Sequence, residues 1–330
     1  MLWIYYILAI ILAYAAVQFG FVAWQLISAS DMRRLKTPQN KLIGAGKTFE
    51  KNSETESYTV SHTVIDGIER IVYTPKKRLH ETPILMAHGM WHGAWCWEAW
   101  QKLFAEWGWE SVAYSLPGHA KSPVQRPIWL CTLDYYLAFV RDEVNRLPRK
   151  PILMGHSMGG ALSQWYLRHV GDDLPAIILV APWTSHTAVK DSLPMFLKLD
   201  PLGIFLVSLT WNARPYVRNP QVAARALITD GALLSPEELF ARLGTESVLV
   251  TLQHNPPFWR PAENIKTPML LLAGEKDAVV GVEPLRKSAA HYHADFVLVP
   301  EAGHNLMMEK SYQETARQID EWLVKRIDDN

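Results

Sequence analysis

The chain has 330 residues, 49% of them hydrophobic and 20% charged, with a formal net charge of +0. This length suits one large α/β domain carrying an insertion, or two domains, and the charge balance excludes the basic footprint that nucleic-acid binding requires. Cys96 and Cys131 are the only cysteines and stand in no CxxC or Cys/His cluster, so neither a disulfide framework nor a zinc site is expected.

In chain order, the first thirty residues hold no charged side chain. About 20 apolar helical residues cross a hydrocarbon core of ~30 Å, so the run predicts a transmembrane helix over residues 1–30. Trp3, Tyr5 and Tyr6 near one end and Trp24 near the other would sit at the two interfaces. Arg33, Arg34, Lys36 and Lys41 follow, against Asp31 alone, which puts the rest of this single-pass protein on the cytoplasmic face, with the bilayer as its partner. The competing expectation is a secretory signal with Ser28-Ala29-Ser30 as a weak cleavage site and a periplasmic or extracellular domain. The start, however, lacks the basic residues of such a signal.

Residues 31–56 read as a polar linker. Two alternating runs, SYTVSHTV and IERIVYTP, flank Asp66-Gly67, a strong hairpin signal. Short apolar runs then alternate with helix-length stretches: TPILMAHG, ESVAYSL, a helix near 132–147, KPILMG, a further helix and AIILVAP. Such alternation predicts a mostly parallel sheet buried on both faces. The alternation breaks over 184–264, which reads as a helical cap inserted after the sixth expected strand. There Ser235 precedes Pro236, Glu237 and Glu238, the signature of a capped helix start. It resumes with PMLLLAGEKD, a helix near 282–290 and ADFVLVPEAGH, and a last helix opens at Ser311 with Glu314 three residues on, a capping-box pattern. The core thus comprises residues 57–183 and 265–330.

Chemistry concentrates after the strands. Ser157 lies in Gly155-His156-Ser157-Met158-Gly159, the G-x-S-x-G turn that presents a serine between a strand and a helix. The glycines relieve crowding there, and Gly160 lets the helix approach the sheet. A serine needs a base. His304 follows the last expected strand and Asp277 the one before it, giving the order Ser, Asp, His at the carboxyl ends of strands. Asp200 and Glu275 are the alternatives for the acid. The backbone N–H groups of Met158 and of Met90, beside Gly89, are the expected oxyanion donors. His88 and His92 flank that loop in structural roles. Trp91, His156, Phe196, Phe205, Trp211, Phe258 and Trp259 are the candidate lining of a substrate pocket.

On these residues the chain resembles the α/β-hydrolase superfamily over about residues 57–328. GHSMGG is similar to the elbow of monoacylglycerol lipases, lysophospholipases and related esterases. HGMWHGAWCW is similar to the loop of plant methyl-ester hydrolases and hydroxynitrile lyases. SLPGHAKS departs from the common D-x-P-G-x-G-x-S segment at Ser115 and Ala120, and Asn305 stands where the lyases carry a lysine. The resemblance implies an α/β-hydrolase fold behind a membrane anchor. It also implies a cofactor-free and metal-free serine hydrolase, cleaving small-molecule esters of apolar or lipid-like character through an acyl-enzyme. A thioesterase, amidase, C–C hydrolase or acyltransferase on the same three residues is an alternative, as is a non-catalytic membrane scaffold.

Overall fold

A computed structural model describes residues 2–29 and 46–327. Nine strands form one sheet: β1 (Lys47–Glu54), β2 (Tyr58–Ile65), β3 (Ile68–Pro75), β4 (Ile84–Ala87), β5 (Ser111–Ser115), β6 (Ile152–His156), β7 (Ile177–Val180), β8 (Met269–Gly274) and β9 (Asp295–Val299). Their spatial order is β1-β2-β3-β5-β4-β6-β7-β8-β9. The first three strands and β5 pair antiparallel, and the six from β5 to β9 pair parallel.

The register follows from burial. Every residue of β4, β5, β6, β7 and β8 is buried, which needs helices on both faces and explains the uninterrupted apolar runs. The flanking helices are α2 (Glu98–Glu106), α3 (Leu133–Arg146), α4 (Met158–His169), α10 (Val282–Tyr292) and α11 (Tyr312–Ile327). Helix α3 packs on α4, α2 packs on α11, and α10 lies on β8. Asp66 and Gly67 both take positive φ, 54° and 72°, and close the β2–β3 hairpin with Ile65 opposite Ile68.

Strand β1 falls where a linker is expected. Its sequence KTFEKNSE has no apolar alternation, and nearly all of it is exposed. Pairing comes from the backbone ladder to β2 and from surface ion pairs such as Lys76 with Glu54, none of which a hydropathy pattern reveals. With this extra strand, the insertion follows the seventh strand in chain order rather than the sixth. It contains α5 (Val189–Leu199), α6 (Pro201–Thr210), α7 (Pro220–Leu227), α8 (Pro236–Arg242) and α9 (Val248–Gln253). The α8 start has the full reciprocal cap, with Ser235 Oγ accepting from the Glu238 N–H and the Glu238 carboxylate accepting from the Ser235 N–H.

The membrane anchor expected over residues 1–30 is corrected by the structure. Residues Leu2–Ala29 form a helix, α1, but among the described residues no helix is long and apolar enough to cross a membrane. Near its end Leu26 is buried against Leu249 of α9, with Trp211 and Leu252 packed around the pair, while Trp24 and Ile27 beside it are exposed. Trp3, Tyr5, Ile10 and Val17, nearer the start, are exposed. The single-pass topology, the bilayer as partner and the assigned membrane side fall with the anchor. Asp31, Arg33, Arg34, Lys36 and Lys41, on which the orientation rested, lie outside the described residues.

Candidate active site

Ser157 joins β6 to α4 with φ 52° and ψ −113°, a backbone region that L-residues occupy only under strain. The turn is this tight because strand and helix nearly touch. A Cβ on Gly155 would lie 2.3 Å from the Gly159 carbonyl oxygen, and one on Gly159 would lie 2.1 Å from that of Ala87. Gly160 rests against Pro182 in the same way. Held by its N–H to the Val180 carbonyl at 3.0 Å, Ser157 presents its hydroxyl above the sheet's carboxyl edge.

Two and three strands away, Asp277 follows β8 and His304 follows β9. Asp277 Oδ1 accepts the N–H groups of Val279 and Val280 at 2.7 and 3.0 Å, while Oδ2 lies 2.8 Å from His304 Nδ1. Both side chains are buried. With Nδ1 facing the carboxylate, Nε2 is the ring nitrogen left for a substrate or a hydroxyl. No hydrogen bond joins Ser157 Oγ to His304 among the described residues. In unliganded sites such contacts commonly tighten only with substrate bound. The two alternative acids are engaged elsewhere: Asp200 pairs with Arg218 in the cap at 2.8 Å, and Glu275 accepts the Glu301 N–H at the surface.

His156 packs under this pair rather than in a pocket. Its Nε2–H donates to the His304 carbonyl at 3.1 Å, and the two rings lie 4.9 Å apart. Burial, with the neighbouring His304 adding to it, pushes its pKa well below the ordinary imidazole value, so the ring is neutral.

The loop after β4 closes the other side. A Cβ on Gly89 would come within 2.9 Å of Ser157 Cβ and 2.8 Å of His156 Nδ1; only glycine lets this backbone lie against the serine. The next N–H, of Met90, donates to no protein acceptor among the described residues. Met158 opens α4, where helix geometry leaves the N–H without an intrahelical partner. Both donors therefore flank Ser157 with nothing to bind. Trp91, at φ 65°, ties the loop to the cap: its Nε1–H donates to Ala213 and its carbonyl accepts from Gly244.

A cavity of about 50 Å³ opens beside Ser157. It is lined by Met90, Trp91, Ser157, Trp183, Ala188, Val189, Ser192, Leu193, Phe196, Tyr216, Thr251 and Val279, without one charged side chain. Of the seven expected lining residues only Trp91 and Phe196 are there. Phe205 and Phe258 are exposed, Trp211 packs with Leu26 and Leu249, and Trp259 is buried in a stack with Trp165 and His254. Trp183 and Val279 were within reach of sequence reasoning, since each lies just past the end of an apolar strand. Ser192, Leu193, Tyr216 and Thr251 carry no such signal, because the cap's packing alone turns them inward.

Known proteins bear on this site in two ways. A stretch of 82 residues is 32% identical to a protein described as putative esterase/lipase 2 of Mycoplasma pneumoniae, covering 24% of this chain and 30% of that relative's length. Among solved structures, a monoacylglycerol lipase from Paleococcus ferrophilus superposes with a TM-score of 0.57 at 21% identity, over 78% of this chain and 99% of that one. A soluble variant of monoglyceride lipase from Saccharomyces cerevisiae gives 0.62 at 15% identity, over 87% and 99%. At such identities the likeness is one of fold. The membership itself comes from a family model, that of the alpha/beta hydrolase family, which matches residues 84–318. The match runs from β4 through the cap and well into α11, and the chain belongs to the alpha/beta hydrolase family.

Proposed function

We propose that this protein is a serine ester hydrolase, with Ser157 as nucleophile, His304 as general base and acid, and Asp277 as the group that orients His304. The carrying observation is the 2.8 Å contact of Asp277 with His304 Nδ1, next to a serine held in a strained turn beside two unengaged N–H groups. His304 Nε2 takes the Ser157 proton as Oγ attacks the ester carbonyl, and the N–H groups of Met90 and Met158 bind the oxyanion. The alcohol leaves with the proton from His304. Water then attacks the acyl-enzyme by the same route and frees the acid.

The substrate's acyl group is uncharged and apolar. A buried charge would need a partner, and the cavity offers none. The esterase and lipase names of the relative and of the structural neighbours agree with such chemistry.

The test is hydrolysis of p-nitrophenyl butyrate together with labelling by a fluorophosphonate probe. Wild type should turn over the ester and be labelled at Ser157. Ser157→Ala should lose both, with a fall in kcat of at least about 10³-fold. Retained turnover in Ser157→Ala, or labelling at another residue, would overturn the assignment.

A further inference from the structure

The two N–H groups proposed to bind the oxyanion are held differently. That of Met158 belongs to a helix end, whereas that of Met90 belongs to a loop peptide whose orientation something must fix. Peptide planarity makes the Met90 N–H point opposite to the Gly89 carbonyl. That carbonyl accepts from His88 Nδ1–H at 2.8 Å and from the His92 backbone N–H at 3.3 Å. The following carbonyl, of Met90, lies 2.7 Å from His92 Nδ1. Both faces of Met90 are thus pinned, and His92 takes part in each.

The chemistry of His92 settles its tautomer. A carbonyl oxygen only accepts, so Nδ1 carries the proton. The ring is fully buried, and burial lowers its pKa to about 4, with the neighbouring His304 adding to the effect. A neutral ring with Nδ1–H leaves Nε2 bare, in need of a donor. Asn305 Nδ2 supplies it at 3.1 Å. The opposite amide orientation would set Oδ1 against a bare nitrogen, so the donor assignment follows from the network. Asn305 is itself fully buried, its backbone N–H fixed on the Leu227 carbonyl, and it directly follows His304.

We propose that Asn305 and His92 are positioning residues that couple the base loop to the oxyanion loop: the Asn305 amide selects the His92 tautomer, and His92 aims the Met90 N–H at the oxyanion. Neither residue touches the substrate. This rests on the ester-hydrolase reading above. Without Asn305, Nε2 is free to take the proton, Nδ1 then opposes the Met90 carbonyl, and the peptide loses its fixed direction.

The experiment compares wild type with His92→Leu, His92→Asn and Asn305→Leu. Its readouts are kcat and KM for p-nitrophenyl butyrate, inhibition by an aryl trifluoromethyl ketone, and thermal unfolding to count folded protein. Asparagine at 92 can place an N–H near the Nδ1 position and keep the Met90 contact. His92→Leu and Asn305→Leu should lower kcat about 10-fold or more with KM little changed. Binding of the ketone, whose adduct carries an oxyanion, should weaken in the same proportion. His92→Asn should recover most of kcat. A loss that only follows the folded fraction, a rise in KM without a fall in kcat, or a His92→Asn as impaired as His92→Leu would overturn the coupling. Should wild type neither hydrolyse the ester nor be labelled at Ser157, the ester-hydrolase reading falls and the coupling with it. Should wild type do both while the variants keep full kcat, the coupling alone falls.

Discussion

At φ 52° and ψ −113°, Ser157 carries backbone strain of about 1–3 kcal/mol. A glycine relieves that strain but adds unfolded-state entropy of roughly 0.5–1 kcal/mol. The difference favours glycine, so Ser157→Gly should abolish hydrolysis and yet raise stability by about 1 kcal/mol. Urea unfolding of the two proteins decides it; a Ser157→Gly midpoint at or below that of wild type would mean the turn stores no net strain. Individual residues here differ in how far the sequence announces them. Ser157, Asp277 and His304 each follow an apolar strand run, and strand ends are where parallel sheets gather chemistry. The sequence favours Asp277 with Glu275 as an alternative, and the structure sets Asp277 2.8 Å from His304 Nδ1 while Glu275 accepts the Glu301 N–H. The contact of His92 with Asn305 spans 213 positions, and nothing in either local sequence points to the other.

Elements meet across a buried charge. His119, in the loop after β5, lies 3.0 Å from Glu246, in the cap between α8 and α9, and neither side chain is exposed. The Tyr136 hydroxyl and the Ser247 N–H donate to the other carboxylate oxygen. Burial opposes a charge on His119, but the charge and hydrogen bond of Glu246 outweigh it, and its pKa is raised above the ordinary value. A raised folded-state pKa gives stability that is complete below about pH 6.5 and is lost as pH rises through the folded value. The melting temperature of wild type should therefore fall between pH 6 and 9 more steeply than that of Glu246→Gln, in which the charge partner is gone. Equal slopes would show that His119 is not the titrating group. The polar strand β1 and the His119–Glu246 pair share a reason for being hidden in the sequence. Backbone pairing and single buried ion pairs leave no periodicity, whereas the parallel strands and the α8 cap are written in local pattern.

Across the whole molecule, hydropathy says what a side chain avoids and not what covers it. The apolar run of α1 reads as a bilayer span, while the structure packs its Leu26 on the cap. The same cap decides what reaches Ser157, since Ala188, Leu193, Phe196, Tyr216 and Thr251 come from the insertion. Phe196 is buried with its ring 4.6 Å from that of Tyr216, and Trp91 stands edge-on to Tyr216. These rings crowd the cavity beside Ser157. Activity on p-nitrophenyl esters should therefore peak near butyrate and fall by laurate. Phe196→Ala removes most of a phenyl ring from the cavity and should move the optimum toward longer chains while butyrate is still turned over. Hydrolysis that rises steadily from acetate to laurate in wild type, or a Phe196→Ala profile that keeps its maximum at butyrate, would mean that the acyl chain lies elsewhere than between α5 and the β4 loop.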